Sequence, residues 1–411
     1  MTTRTINSLS AAVSKFIAAN NDSIFVVTAS IDFSNQTLTM PAHSLIVFEG
    51  NGRLYGGTFV GHKVINDYVD VRWFASQDSG ENGPNGQSLA IAMALSDNVF
   101  ISGTVELSAT FTINRSGVRL YGRSPHDASI CLPTGMSYVL KIAQQQSFIT
   151  IENLTVSGFQ LDNSSTDDIR RSVYCHMICA DGYNSNILIK GCVFDSGTSG
   201  VYVMPNCQFL TIEGCTFRNM VFIPNQRAGS YGVVFQRTGD GRGSDHVIIR
   251  DCIFEKTVVR HAFYIQACND VLITNNIVYG TTEYNDSLID KYYAYANNPI
   301  LYPALSDVEV ASFDITKHMT RYDSAISFHG CTNVRFINNY FENGIIVLNG
   351  VTAPTGVAGV TVKGKFYLLR DNVVKGFRIP HYNNHPSLYN WDSIDDYRMI
   401  DNVEIDNVIV P

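Results

Sequence analysis

The sequence predicts an all-β protein folded as a single-stranded parallel β-helix, a solenoid in which every turn of the chain adds one strand to each of its parallel sheets. Two observations predict this fold: a short phrase of alternating apolar residues recurs along the chain, and some of its copies are about one solenoid turn apart. A third is the low charged fraction of 16%, as expected for a coil filled with apolar side chains. No 3.6-residue periodicity runs through the repeats, which excludes a helical solenoid.

Each copy of the repeat consists of an alternating strand, a polar bend and a second apolar pair. Taking one equivalent position in each bend, successive copies are 23, 37, 24, 63 and 33 residues apart. Two of these steps match one turn of roughly 20–25 residues, and the longer steps contain an insertion or further turns. The equivalent positions are Cys192, Cys215, Cys252, Asn276, Asn339 and Asn372, and Ile149–Val156 is a looser first copy.

A second strand per turn is predicted before each copy, in residues 198–204, 230–236, 260–266 and 323–329. Strict alternation makes its inward positions apolar throughout, which supports the register. The inward residues are Val201, Val203, Val233, Phe235, Phe263, Ile265, Ile326 and Phe328. The outward columns are Thr198/Ser230/Arg260/Asp323, Gly200/Gly232/Ala262/Ala325, Tyr202/Val234/Tyr264/Ser327 and Met204/Gln236/Gln266/His329.

The remaining elements precede the repeats. Residues 1–21 carry an apolar stripe at helical spacing, with Ser8 as a cap and Asn20 at the end, so an amphipathic helix is predicted. Residues 24–60 predict a ladder of short strands and turns, which with this helix would cover the open end of the solenoid. The further elements are a helix at 87–96 and strands at 98–101, 105–107 and 118–121.

The chain therefore divides into three predicted parts. Residues 1–66 form the N-terminal helix and capping strand ladder, residues 67–375 the parallel β-helix, and residues 376–411 a last coil and cap. Insertions into the helix are predicted at 218–245 and 278–321. The second of these is too long for a plain turn in a compact fold, which favours a functional role.

Charge and hydropathy exclude two classes of partner. The net charge of −8 gives no positive field for a nucleic-acid backbone, so nucleic-acid binding is not expected. No apolar run approaches the roughly 20 residues that cross a bilayer, so membrane insertion is not expected either. The first 21 residues have neither a continuous apolar core nor a cleavage site, and no signal peptide is predicted.

The nine cysteines are too few for a disulfide scaffold in so long a chain, and their odd number favours synthesis in a reducing cytoplasm. Most are expected to be small buried rungs of the repeat. Cys175 and Cys179 have ligand chemistry, but nothing near them completes a zinc pattern, so no metal site is predicted. No cofactor is expected. The segment Asp162–Asp168 offers oxygen ligands for calcium in a spacing that is not diagnostic and that also suits an ordinary polar turn.

Three segments together resemble a known family. Val69–Ala75 (VDVRWFA), Gln87–Ser96 (QSLAIAMALS) and Val118–Ser124 (VRLYGRS) follow one another as in the entry of pectate-lyase-like right-handed β-helix proteins, which include phage tailspikes that digest bacterial surface polysaccharide. Phe74-Ala75-Ser76 and Asp78-Ser79-Gly80 stand where the family usually has Phe-Gly-Ala and Asp-Gly. Residues 31–41, 48–50 and 57–59 are similar to N-terminal parts of gut-bacterial and phage β-helix proteins.

The resemblance spans residues 24–375 and is specific for fold rather than chemistry, because the family contains lyases, hydrolases and pure binders. It implies a right-handed coil, a homotrimer, and a place in a virion tail. The alternative location is a secreted or cell-surface protein of a gut bacterium. The implied partner is a bacterial surface or capsular polysaccharide.

Candidate site residues lie in the outward columns and in the long insertion. Tyr292 and Tyr293, among other tyrosines and carboxylates of the insertion, suit a wall that stacks on sugar rings, although a loop that simply packs on the coil has the same composition. Gly200, Gly232, Ala262 and Ala325 would leave a shallow trough along the coil, or else allow subunits to pack. The predicted substrate-binding residues are Tyr202, Gln236, Gln266, Tyr292, Tyr293, His318 and Arg321, and the predicted catalytic residues are Asp323, Tyr264, Arg260 and His329.

Two reactions fit these residues. Hydrolysis needs two carboxyl groups, for which Asp323 is best placed, with Asp314, Glu283 or Asp245 as partner. Elimination from a uronic acid needs a base and a cation near the sugar carboxylate, which Tyr264, His329 and Arg260, or Lys317 and His318 with Arg321, would supply. We therefore expect a tailspike-like depolymerase, acting by hydrolysis or elimination. The alternative is a non-catalytic adhesin or tail structural protein. The strict alternation turns His261 inward or into a bend, so a structural role is expected for it.

Overall fold

The structure is a computed structural model of the chain, which folds into two compact units. The first comprises residues 1–109, 116–133 and 149–155, and the second comprises 110–115, 134–148 and 156–411. The structure describes residues 1–7, 13–60, 68–75, 84–132, 138–158, 175–220, 222–223, 228–229, 231–255, 261–279, 326–342, 346–349, 351–352, 361–362, 364–375, 378–379, 381–382, 385–386, 394–405 and 408–409.

The first unit is a ladder of short parallel strands with three helices. Its α-helices are Val13–Ala18 and Gly86–Leu95, and Val71–Phe74 forms a 3₁₀ turn. None of the helices in the described part of the chain is long and apolar enough to cross a bilayer. The paired strands are Thr2–Ile6, Ser23–Val27 and Leu45–Phe48; Ser30–Asp32 and Arg53–Tyr55; Thr37–Thr39 and Thr58–Val60; Val69–Asp70, Asn98–Phe100 and Arg119–Tyr121; and Gly103–Glu106 and Ala128–Cys131. The strands Ser147–Glu152 and Thr155–Ser157 contain residues of both units.

The predicted elements of this unit are largely confirmed, with one correction at the N-terminus. The helix Gly86–Leu95 is capped by Asn85, whose side chain accepts hydrogen bonds from the backbone of Gln87 and Ser88. The expected helix over residues 1–21 is shorter, because Thr2–Ile6 is a strand that pairs in parallel with Ser23–Val27. The β-branched residues of Thr2–Ile6 favour the extended conformation. Residue Ser8, the expected cap, lies outside the described residues.

The second unit contains three parallel sheets, named here in the order in which one turn of the chain visits them. Sheet I consists of Phe111–Ile113, Tyr138–Ile142, His176–Ala180, Ser199–Val203, Tyr231–Phe235, His261–Gln266, Ile326–His329 and Ile346–Asn349. Sheet II includes Ser185–Lys190, Gln208–Glu213, Asp245–Arg250, Asn269–Thr274, Thr332–Ile337, Gly364–Arg370 and Ile394–Ile400. Sheet III includes Val193–Asp195, Thr216–Arg218, Ile253–Phe254, Ile277–Tyr279, Tyr340–Glu342, Val373–Lys375 and Val403–Ile405.

Small strand pairs outside these sheets complete the described elements. Arg378–Ile379 pairs in parallel with Val408–Ile409. The antiparallel pairs are Phe222–Ile223 with Ala228–Gly229, Val351–Thr352 with Thr361–Val362, and His381–Tyr382 with His385–Pro386.

Identical positions of successive turns stack into columns inside the coil. The rings of Phe194, Phe217 and Phe254 stack at centroid distances of 4.8 and 4.5 Å. In the column at the bend between sheets II and III, the amide of Asn276 donates to Asn339, and that of Asn339 donates to Asn372. The cysteines of this column are buried like the asparagines, and the nine cysteines of the chain are all unbridged. The predicted ladder of Cys192, Cys215, Cys252, Asn276, Asn339 and Asn372 is confirmed.

The predicted register of sheet I is confirmed. Val201 pairs with Val233, Val233 with Phe263, and Phe263 with Ile326. The second inward column, Val203/Phe235/Ile265/Phe328, is fully buried. Alternation therefore placed the columns of side chains correctly over Val201–Val203 and its equivalents.

The predicted outward trough of small residues is wrong at its three described positions, and the fourth, Ala325, lies outside the described residues. A Cβ atom at Gly200 would lie 2.4 Å from the ring of Phe217, and one at Gly232 would lie 2.3 Å from the ring of Phe254. Both glycines therefore face the stack of phenylalanine rings, and Ala262 is 2% exposed. Alternation breaks at the start of these strands, so the small residues let sheet I approach the rings of sheet III closely.

Candidate functional site

The outer face of sheet I carries a row of aromatic and imidazole side chains in the second unit. Tyr264 lies between Val234 and Ser327 on the neighbouring strands, and Gln266 lies beside His329. The ring of Tyr264 is 5.6 Å from Tyr231, and it is 5.3 Å from His261 and 5.4 Å from His329. The sequence-predicted residues Tyr264, Gln266 and His329 are thus brought together, around a tyrosine that contacts rings on three strands.

A hydrogen bond orders the centre of this cluster. Nε2 of Gln266 donates to the phenol oxygen of Tyr264 at 2.7 Å. Both side chains are partly exposed, so they are accessible from solvent while their relative orientation is held. A fixed phenol on an open strand face is suited to hydrogen bonding with a hydroxylated ligand.

The environment of His329 keeps its imidazole neutral. Burial, and to a smaller extent the nearby positive charge of Arg237, lowers the pKa of His329 from 6.5 to about 4. A neutral imidazole has one nitrogen able to accept a proton at neutral pH. Arg237 was not predicted from the sequence, although it directly follows the predicted Gln236 at the end of a sheet I strand.

A second aromatic group lies further along the same sheet. The ring of His176 stacks on Tyr202 at 4.2 Å and is 5.7 Å from Tyr138. Burial lowers the pKa of His176 to about 4. Lys141 lies over the Tyr138 ring at 5.5 Å and pairs with Asp181 at 3.0 Å. The predicted Tyr202 therefore belongs to a neighbouring patch of the face, and His176 is a residue that sequence reasoning missed as part of it.

The structure corrects the expected inward direction of the His261 side chain, not its expected structural role. It is 6% exposed, yet its ring stacks at 17° on the outward Tyr264 and lies 5.3 Å from Tyr231. The break in alternation at Ala262 turns His261 to the outer side of the strand. His261 therefore supports the face that carries Tyr264.

Several predicted site residues lie outside the described residues: Asp323, Arg260, Tyr292, Tyr293, His318 and Arg321, with Asp314, Glu283 and Lys317. Asp245, the described member of the expected carboxylate set, begins a strand of sheet II, where its Oδ1 accepts from Nδ2 of Asn269 at 2.8 Å. The backbone of Gln236 donates to Val203 at 2.8 Å at the end of sheet I.

Three of the buried cysteines, Cys179, Cys207 and Cys331, are protonated thiols at neutral pH. Burial raises the pKa of Cys179 to about 12, that of Cys207 to about 11 and that of Cys331 to about 12. Across the part of the chain that the structure describes, no three His, Cys, Asp or Glu side chains are grouped as a metal site.

Comparison with known proteins identifies the architecture. Residues 111–282 match the family model described as right handed beta helix region. No curated protein matches the chain in sequence.

The solved structures that the chain resembles are distant. The enzymatically active domain of tailspike protein 2 of bacteriophage CBA120 is 10% identical, with a TM-score of 0.46, over 84% of this chain and 43% of that chain. An alpha-1,3-glucanase of Streptomyces thermodiastaticus is 11% identical, with a TM-score of 0.43, over 84% of this chain and 57% of that chain. A surface adhesin of Streptococcus pneumoniae is 9% identical, with a TM-score of 0.38, over 93% of this chain and 91% of that chain.

The chain thus spans less than half of the length of the tailspike domain that it matches. The stacked columns, the three parallel sheets and the family match agree with one another. This chain is a right-handed parallel β-helix protein.

Proposed function

We propose that the chain binds a bacterial surface polysaccharide along the outer face of sheet I and cleaves it, as a tailspike-like depolymerase. The observation that carries the proposal is the cluster of Tyr264, Gln266 and His329, with Arg237 beside it. An extended row of aromatic rings on parallel strands offers successive surfaces on which sugar rings stack. The cluster adds a phenol, a neutral imidazole and a cation at one point of this row.

The described side chains favour elimination from a uronic acid. In this reaction a base removes the proton on the carbon next to the sugar carboxylate, and the C–H electrons form a carbon–carbon double bond. The glycosidic C–O bond breaks, and the leaving oxygen takes up a proton. The neutral imidazole of His329 would accept the first proton, the phenol of Tyr264 would supply the second, and Arg237 would neutralise the sugar carboxylate.

Hydrolysis requires a pair of carboxyl groups instead. Asp323, the carboxylate that the sequence favours for this role, lies outside the described residues, and Asp245 is engaged on sheet II. The imidazole, phenol and guanidinium of the described cluster have no counterpart in the two-carboxylate scheme. Elimination is therefore the reaction that we put first.

One experiment separates the alternatives. The protein is incubated with purified capsular and lipopolysaccharide chains, and product length, new reducing ends and the ultraviolet absorbance of an unsaturated sugar are followed. Shortened chains with rising absorbance are expected. Shortened chains without absorbance would replace elimination by hydrolysis, and bound but intact chains would make the protein an adhesin or tail structural protein.

We further propose that the chain acts as a homotrimer in a virion tail. The support is the resemblance to phage tailspikes stated above. Sedimentation of the purified chain should give three times the chain mass of 45.5 kDa, and a monomer at working concentration would contradict the assembly without affecting the proposed cleavage.

A further inference from the structure

A second open groove lies on the outer face of sheet II, away from the residues of the sheet I cluster. It has a volume of about 410 Å³ and is lined by residues of five neighbouring strands. Its apolar floor includes Leu188 and Ile248, and its walls carry Phe209, His246, Asp270 and Arg335. A groove that combines an apolar floor with a few fixed polar groups has the composition of a ligand site.

The aromatic wall of this groove is held in a costly backbone conformation. Phe209 has a φ of +55° and is 49% exposed, and its ring lies 4.6 Å from that of His246. The equivalent position on other turns is occupied by Asn186, His246, Asp270, Asn333 and Phe366, all at positive φ. Asn and Asp tolerate this left-handed region, whereas a bulky aromatic residue does so rarely. Backbone preference does not explain a phenylalanine at this position, and Phe209 differs from the equivalent Phe366 in that its exposed ring lines the groove.

The polar wall is pre-ordered. Oδ1 of Asp270 accepts hydrogen bonds of 3.0 Å from both Asn333 and Arg335, and Oδ2 lies 3.7 Å from Nε2 of His246. Nε of Arg335 is buried and has no hydrogen-bond partner within the described structure. The carboxylate is therefore fixed in orientation beside the exposed ring.

Charge identifies the class of ligand. The guanidinium of Arg335 is already paired with Asp270, so the groove offers no uncompensated cation for an anionic sugar. A flat apolar ring beside a fixed carboxylate suits the two faces of a neutral sugar: the C–H face packs on the ring, and the hydroxyl groups donate to the carboxylate.

We propose that this groove is a second saccharide-binding site, which takes a neutral pyranose residue of an oligosaccharide or polysaccharide through Phe209 and Asp270. The site is on a different sheet from Tyr264 and does not require that the chain cleaves its ligand. In a polysaccharide-degrading protein it would hold the polymer between cleavage events.

The test uses the full chain and two matched variants. Phe209→Asn removes the ring and installs a residue that favours positive φ, so the fold should be kept and the melting temperature should be equal or higher. Phe366→Asn makes the same change at the equivalent position of another turn, where the φ is +58° and the ring is 59% exposed but does not line the groove. Neutral dextran, mannan and galactan oligosaccharides serve as probes in ligand-observed NMR titrations, and alginate oligosaccharides serve as the acidic comparison.

Wild-type protein and Phe366→Asn should bind a neutral probe equally, and Phe209→Asn should bind it about tenfold more weakly. Equal binding by all three proteins, an equal loss in both variants, or no binding of any neutral probe by the wild type overturns the proposal. Product release from a cleaved polysaccharide is measured separately. A Tyr264 variant that loses cleavage but binds the neutral probe as before shows that the two sites act separately. If the wild type cleaves polysaccharide but binds no neutral probe, only the groove proposal fails. If it binds the probe but cleaves nothing, only the proposed cleavage fails.

Discussion

The phenol oxygen of Tyr264 accepts a hydrogen bond of 2.7 Å from Nε2 of Gln266, two residues further along the same strand. An amide NH₂ group can only donate, so the phenol proton is not used in this bond. Side chains two residues apart on a strand lie on the same face. The pair therefore presents a phenol of fixed orientation on the outer face of sheet I, next to the ring of His329 at 5.4 Å.

Replacing Tyr264 by Phe removes the hydroxyl and keeps the ring. If the phenol transfers a proton in the reaction, kcat should fall by about 10²–10⁴-fold, with little change in binding of uncleaved polymer. The rate of product formation on the polysaccharide found to be cleaved measures the effect. Tyr183→Phe, at a tyrosine that is 60% exposed at a turn, is the matched control and should retain full activity. Equal rates for both variants would remove Tyr264 from the chemistry.

Gln266→Ala tests positioning rather than chemistry. The variant keeps the phenol but loses the donor that orients it, so kcat should fall less than in Tyr264→Phe. Gln266→Glu has a side chain of the same length, but its carboxylate can only accept hydrogen bonds. It therefore lacks the donor to the Tyr264 phenol oxygen and should not restore the rate lost in Gln266→Ala. A loss confined to KM in Gln266→Ala would instead mean that Gln266 only binds sugar.

His176 should make the protein less stable in mild acid. Its pKa is lowered from 6.5 to about 4 by burial, so below pH 6.5 the unfolded chain binds a proton that the folded chain does not. The free energy of unfolding should therefore fall as the pH is lowered from 6.5 to 4, by up to about 3 kcal/mol from this residue. Urea unfolding at several pH values measures it. His176→Phe keeps a ring against Tyr202 and should reduce this slope, while His329, whose pKa is also lowered to about 4, still contributes to it. An unchanged slope would contradict the assignment to His176.

The sequence predicted the columns of sheet I because alternation has a period of two, and a shift by one residue would have turned every apolar side chain outward. It failed where alternation breaks, at Gly200 and Ala262. It also placed Asn276, Asn339 and Asn372 in one column without predicting their mutual hydrogen bonds. Such bonds depend on the spacing between turns rather than on any local pattern.

The groove at Phe209 was missed for a related reason. Phe209 lies at a left-handed position within a strand of sheet II, and no composition rule marks such a position when it is occupied by an aromatic residue. The outer-face residues that form the groove come from turns separated by insertions of different length, so they do not recur at a constant spacing in the sequence.

The corrected position of Gly200 gives a stability prediction. A Cβ atom there would lie 2.4 Å from the Phe217 ring and 2.8 Å from the carbonyl oxygen of Gly232. Gly200→Ala should therefore lower the free energy of unfolding by about 1–3 kcal/mol, because sheet I must move away from a packed ring stack. Gly239→Ala, where a Cβ would meet nothing within 4 Å, is the control and should leave stability unchanged. Equal stability of both variants would mean that Gly200 faces outward, into the open trough that alternation predicted.

In the internal asparagine column, substitution of Asn339 should destabilise the protein most. Its Nδ2 donates to the backbone of Ile273 and to Asn372, and its Oδ1 accepts from Asn276. Asn339→Ala leaves these buried groups without partners, so the free energy of unfolding should fall by roughly 2–5 kcal/mol. Denaturant unfolding measures the change. The adjacent Asn338 is exposed and has a φ of +54°, so Asn338→Gly keeps its conformation and should change stability by less than about 1 kcal/mol. A similar effect of both variants would mean that the column is not a cooperative hydrogen-bonded element.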